Sequence, residues 1–128
     1  MSKVPKEWEA YLSMVSVQSE IVPECIPMWI DAVRDGIKRI PLAGVLANGP
    51  HLACSIRYKI PTHCQCDVLF EVGARHYGDW RLYGPTGTVI ITPPLLLAAE
   101  AAPFLVIRAQ DTIEVSIAID CQKIRRLP

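Results

Sequence analysis

An α+β fold, with an N-terminal helical hairpin packed on one face of a mostly antiparallel sheet of about six strands, is what this 128-residue chain predicts. Two observations carry the prediction. Over 112–121, Ile113, Val115, Ile117, Ile119 and Cys121 alternate without a break with Thr112, Glu114, Ser116, Ala118 and Asp120, the period of two of a half-buried strand, and the same pattern recurs after residue 50. The first forty residues instead space their apolar side chains by three, four or seven, the period of an amphipathic helix. At this length the chain reads as one domain, 1–128, with a helical part over 1–40, a sheet part over 51–121 and a basic tail over 122–128.

Pro5 suits the first turn of a helix, and Trp8, Leu12, Val15 and Val22 follow it on one stripe. Pro23 ends that helix and Pro27 opens a second, with Met28, Trp29, Val33 and Ile37 as its apolar stripe and Gly36 as its stop. The segment 41–50 is a connector, closed by the turn Asn48, Gly49, Pro50. Over 52–60 the period becomes two, placing Leu52, Cys54, Ile56, Tyr58 and Ile60 on one face, and Val68, Phe70 and Val72 resume it, so 52–72 reads as an antiparallel hairpin. Gly73 and Gly78 bracket a turn, 80–83 is a short strand, 84–87 a turn, and 89–92 a strand that Pro93 and Pro94 terminate. The Leu- and Ala-rich stretch 95–102 predicts a short crossover helix. Finally 104–109 and 113–121 read as a hairpin about Gln110 and Asp111.

Thirteen basic and thirteen acidic residues leave no net charge, which gives no overall attraction to nucleic acid or an anionic membrane. The charges are uneven: residues up to Asp35 carry six carboxylates, whereas 36–66 hold Lys38, Arg39, Arg57 and Lys59 and none. An apolar share of 51% is high for a small soluble monomer and predicts a homo-oligomer or another protein subunit as partner. The longest apolar tract, 93–107, is broken by Glu100 and Pro103, so no membrane span is expected. Residues 1–20 carry scattered charges in place of a signal peptide's apolar run, which predicts a cytoplasmic protein, and the five cysteines then read as reduced thiols.

The densest set of candidate metal ligands is His51, Cys54, His63, Cys64 and Cys66. Zinc needs four such groups at one point. An extended 52–60 would hold His51 and Cys54 about 20 Å or more from the others, so neither a metal nor a cofactor is expected. Cys25, ahead of the second helix, could gain a thiolate from the helix dipole but has Glu24 and Glu20 opposing it, and Cys64 beside His63 lacks the spatial convergence and third orienting group a dyad needs. Cys54 and Cys121 are expected in the core. No phosphate loop, dinucleotide loop, H-E-x-x-H or G-x-S-x-G is present, so no catalytic residues are assigned.

The strongest binding candidates are Arg75, His76, Tyr77, Trp80, Arg81 and Tyr83, a cluster of rings and guanidinium groups of the kinds that dominate protein interfaces. On a strand Trp80 and Leu82 share one face and Asp79, Arg81 and Tyr83 the other, so the competing reading makes Trp80 core and the rest a solvated rim. The leading expectation is a non-catalytic interaction or assembly module. The alternative is an accessory protein contacting RNA or single-stranded DNA through Arg57, Lys59, Lys123, Arg125 and Arg126, with Arg75 and Arg81. A third reading is an enzyme or small-ligand carrier whose site is assembled only in three dimensions.

Overall fold

Side chains that alternate along a strand commit one face to burial, and two such sheets satisfy each other by packing face to face. That is the arrangement found in the computed structural model, which describes residues 19–30 and 36–126. The strands are β1 (Ser19–Ile30), β2 (Ile37–Pro41), β3 (His51–Lys59), β4 (Gln65–Val72), β5 (Arg75–Tyr83), β6 (Thr86–Leu97), β7 (Phe104–Arg108) and β8 (Val115–Arg126), with one 3-10 turn at Ala99–Ala101. Sheet A has the order β1-β8-β3-β6 and sheet B the order β2-β7-β4-β5. All pairings are antiparallel. The chain crosses between sheets at every connection except β4 to β5, and this eight-stranded order is a jelly roll.

The core lies between the sheets. Val115, Ile117, Ile119 and Cys121 of β8, with Ile56 of β3, face Val68 and Phe70 of β4 and Leu105 and Ile107 of β7. Phe70 is fully buried and meets Trp80 edge to face, with ring centroids 6.1 Å apart and planes at 80°. Tyr58 ties the layers together: its hydroxyl donates to the Tyr83 carbonyl at 3.0 Å and accepts the Tyr83 amide at 3.2 Å.

The helical hairpin is overturned. The expected second helix falls on β1 at 27–30 and on β2 at Ile37, with 31–35 outside the described residues. Of the first helix, 5–18 lies outside the described residues and 19–22 is strand. Pro23 and Pro27 are compatible with β1 because it is an edge strand, where half the main-chain groups have no partner to lose. Pro93 and Pro94 likewise do not end β6, also an edge: residues 91–94 bulge out opposite Cys54, between the pairs Ser55–Ile90 and Ala53–Leu95. The crossover helix is replaced by the end of β6 and the 3-10 turn, because pairing of Leu95, Leu96 and Leu97 with β3 outweighs their helix propensity. The two expected hairpins, over 52–72 and over 104–121, are also overturned, since β3 and β4, and β7 and β8, lie in opposite sheets. The bulge at Cys54 changes the inward face as well. Ala53, not Leu52 or Cys54, joins the core cluster beside Ile56 and Cys121.

Two of the crossings, β3 to β4 and β5 to β6, are bonded side by side at one end of the sandwich. The Gly84 amide donates to the Cys64 carbonyl at 3.0 Å and the Ile60 amide to the Pro85 carbonyl at 2.9 Å. A β-carbon on Gly84 would stand 2.2 Å from the Pro61 carbonyl oxygen, a main-chain atom with no freedom to rotate away. Gly84→Ala is therefore expected to lower the unfolding free energy by about 2 kcal/mol, measured from the urea midpoint with the slope unchanged.

Candidate interaction surfaces

Burial of Ile26 and packing of Met28 against the core turn Pro27 and Trp29 of β1 outward. The register continues this outer row across sheet A, Trp29 to Ser116 to Lys59 and Pro27 to Ala118 to Arg57. Because Ser116 and Ala118 are small, the middle of the sheet forms a shallow, widely open trough of about 480 Å³, flanked by Pro27 and Trp29 on one side and Arg57 and Lys59 on the other. A second hollow of about 420 Å³ shares Trp29, Lys59 and Ser116 and extends to Pro61 and Glu114. Trp29 stands between the two, 72% exposed. Farther along, Arg57 is held by Asp120 through Nε to Oδ2 at 2.8 Å and Nη2 to Oδ1 at 3.0 Å, and the Ser55 hydroxyl donates to Oδ2 at 3.2 Å. The hydrogen bond from Arg57 holds the Asp120 carboxyl below its ordinary range.

The outer face of sheet B is covered differently. Arg81 grips Asp67 through two nitrogens at 2.9 and 3.3 Å, Arg108 reaches Asp79 at 2.8 Å, and Glu71 receives Arg39 and stands 3.4 Å from His76. These cross-strand pairs bring long side chains over Leu69 and Val106, which are only 5% and 6% exposed. Arg39 also lies over the Phe104 ring, 4.6 Å from its centroid. Between Asp67, Arg81, Asp79 and Arg108 opens a polar cleft of about 480 Å³, and the Nε of Arg108 is buried without a hydrogen-bond partner. Hydrogen bonding from Arg81 lowers the Asp67 pKa.

All six residues of the predicted binding cluster belong to β5, an edge of sheet B. They do not form one surface. Trp80 turns inward onto Phe70 and over Gly78, whose positive φ belongs to a bulge in the β4–β5 register, while Arg81 and His76 are engaged by Asp67 and Glu71. Arg75, Tyr77 and Tyr83 remain exposed. The basic set is dispersed too: Arg57 and Lys59 lie on the outer face of sheet A, Lys123 pairs in register with His51, and Arg75 and Arg81 are on sheet B. Arg125 and Arg126 are described only in their main chain, on β8.

Among the described residues no three His, Cys, Asp or Glu side chains gather as a metal site, and all five cysteines are free. His51 is buried, and its Nδ1–H donates to the Gly49 carbonyl at 2.9 Å. Desolvation lowers its pKa, which favours the neutral ring. Desolvation also pushes the Cys66 thiol up to about 11 and the Cys121 thiol up to about 12, whereas Cys25 is exposed on β1. Sequence reasoning missed Trp29 as a surface residue because it assigned it to a helical stripe. The available signal was that Pro23, Pro27 and Trp29 share one parity of a strand whose other parity holds Val22, Ile26 and Met28.

In native protein at mildly alkaline pH, Cys25 is expected to react first with a thiol reagent and Cys66 and Cys121 only after unfolding, read by peptide mass mapping. The ionic pairs give a second expectation. Carboxyls with lowered folded pKa values stabilise the fold above the unfolded carboxyl pKa and lose that contribution as pH falls through the folded values. The double variant Asp67→Asn, Asp120→Asn should therefore be less stable than the parent at neutral pH and show a flatter loss of stability below about pH 4, followed by thermal melts. No protein-family model matches the chain, and no curated protein matches it in sequence.

Proposed function

We propose that this protein is a non-catalytic assembly module, a subunit that self-associates or docks into a larger protein complex in the cytoplasm. The distribution of its exposed apolar side chains supports the reading. Trp29 lies on β1, Ile37 on β2, Tyr77 and Tyr83 on β5, and Ile90 and Leu96 on β6; among the described residues only Val45 is elsewhere. Those four strands are the four sheet edges. Edges bearing residues as open as Ile90, at 66%, invite association unless another protein covers them. Jelly-roll sandwiches serve as capsid subunits, lectin domains and cupins, and by analogy of fold alone, packing side by side is the use that suits apolar edges.

Two further features fit this reading. The free thiols suit a reducing compartment, and among the described residues no helix is long and apolar enough to cross a membrane. Contact with RNA or single-stranded DNA ranks behind assembly, because Arg57 and Arg81 are already paired with carboxylates and lie on opposite outer faces of the sandwich. A small-ligand role would fall to the cleft at Arg81 and Arg108, whose charges are likewise paired. Light scattering across a concentration series tests the assembly reading. The weight-average mass is expected to rise above the 14.2 kDa of one chain, and a constant monomer that captures no protein partner would overturn it.

A further inference from the structure

The geometry points to a second copy of this chain as the occupant of the trough on sheet A, in a two-fold contact that inserts the Trp29 of each copy beside the Trp29 of the other. This inference rests on the self-association proposed above and names the surface that carries it. A two-fold contact uses one patch twice, so the patch must contain both a projection and a recess that accepts it. Here they adjoin: Trp29 is 72% exposed, and hollows of about 480 and 420 Å³ flank it. The recess follows from sequence, because β8 supplies Ser116 and Ala118 as its floor, between taller residues of β1 and β3. Insertion would cover a large aromatic surface at little cost in side-chain entropy, which is the usual character of an interface anchor.

The charges on the patch are also self-complementary. Lys59 and Glu114 both line the hollow beside Trp29, both are exposed, and neither enters an ion pair among the described residues. A two-fold axis that passes between Lys59 and Glu114 would bring the Lys59 of each copy towards the Glu114 of the other, giving two opposite-charge contacts. Arg57, the other cation on the wall, is already neutralised by Asp120 and adds no uncompensated charge. An acidic partner would leave Glu114 opposed, and a basic one would leave Lys59 opposed. A second copy satisfies both.

The experiment uses the full 128-residue chain in sedimentation equilibrium, with thermal melts to show that each variant is folded. Trp29→Ala is expected to weaken dimerisation roughly tenfold or more, since its side chain is exposed in the monomer and its loss leaves the core intact. Lys59→Glu and Glu114→Lys should each weaken self-association, and an equimolar mixture of the two single variants should recover a dimer, because every cross-copy contact in that heterodimer again joins opposite charges. The double variant in one chain should recover likewise. A dimer unaffected by Trp29→Ala would overturn this surface while leaving self-association standing, and so would charge variants that fail to rescue one another. A wild-type chain that stays monomeric would overturn both this inference and self-association, even where a different protein is captured.

Discussion

An open β-sandwich has four edges that its own strands cannot pair, and the rest of this protein is shaped by how those edges are managed. In an antiparallel pair each residue turns both its main-chain groups towards the neighbouring strand or both away from it. Pro23 and Pro27 have no N–H to give to β8, so the free rim of β1 alternates proline with Cys25 and Trp29 and cannot present a continuous row of donors. β6 interrupts its rim with the bulge containing Pro93 and Pro94, and β2 is only five residues long and ends at Pro41. β5 bends at Gly78. Strand addition is thereby discouraged at each edge, while the side chains on the same strands stay apolar and open. That combination disfavours fibrous stacking through the main chain.

The two outer faces differ in how their charges are arranged. Four of the five ion pairs among the described residues lie on sheet B, where Arg39, Arg81 and Arg108 cross strands to Glu71, Asp67 and Asp79 and His76 adds to Glu71. Exposed pairs of this kind contribute little to stability, and covering them would strip water from every charge in the set. Sheet A carries one such pair, Arg57 with Asp120, set back from Trp29 along the trough.

What could be read from the sequence was the existence of strands buried on one face. Residues 113–121 alternate cleanly because β8 sits between β1 and β3 with its inner face wholly in the core, and each of Ile113, Val115, Ile117, Ile119 and Cys121 is buried. Partner identity was illegible, since a short connection can close a hairpin or span the ~10 Å between sheets, and only tertiary packing decides which. Residues 60–64 and 109–114 take the second course. β1 was misread because prolines mark helix ends as well as strand edges, and Trp29 and Ile37 fitted a helical stripe by coincidence. Residues 95–97 show the opposite error, with good helix formers conscripted into an edge by their pairing to β3.

The same ambiguity explains why the aromatic cluster on β5 was conspicuous in sequence while the trough on sheet A was invisible. Clustering along the chain does not place side chains on one face, and Trp80 points into the core while its neighbour Arg81 points out. The trough is instead assembled from β1, β8 and β3, three strands separated by up to ninety residues in sequence and adjacent only through jelly-roll order. Its floor depends on Ser116 and Ala118, small residues that look unremarkable in an alternating strand. A side chain larger than these at either position would raise the floor and remove the recess, with no effect on the inner face that holds the sandwich together. Surface shape in this fold is thus set by which small residues fall on the central strand, a property of register that no local motif records.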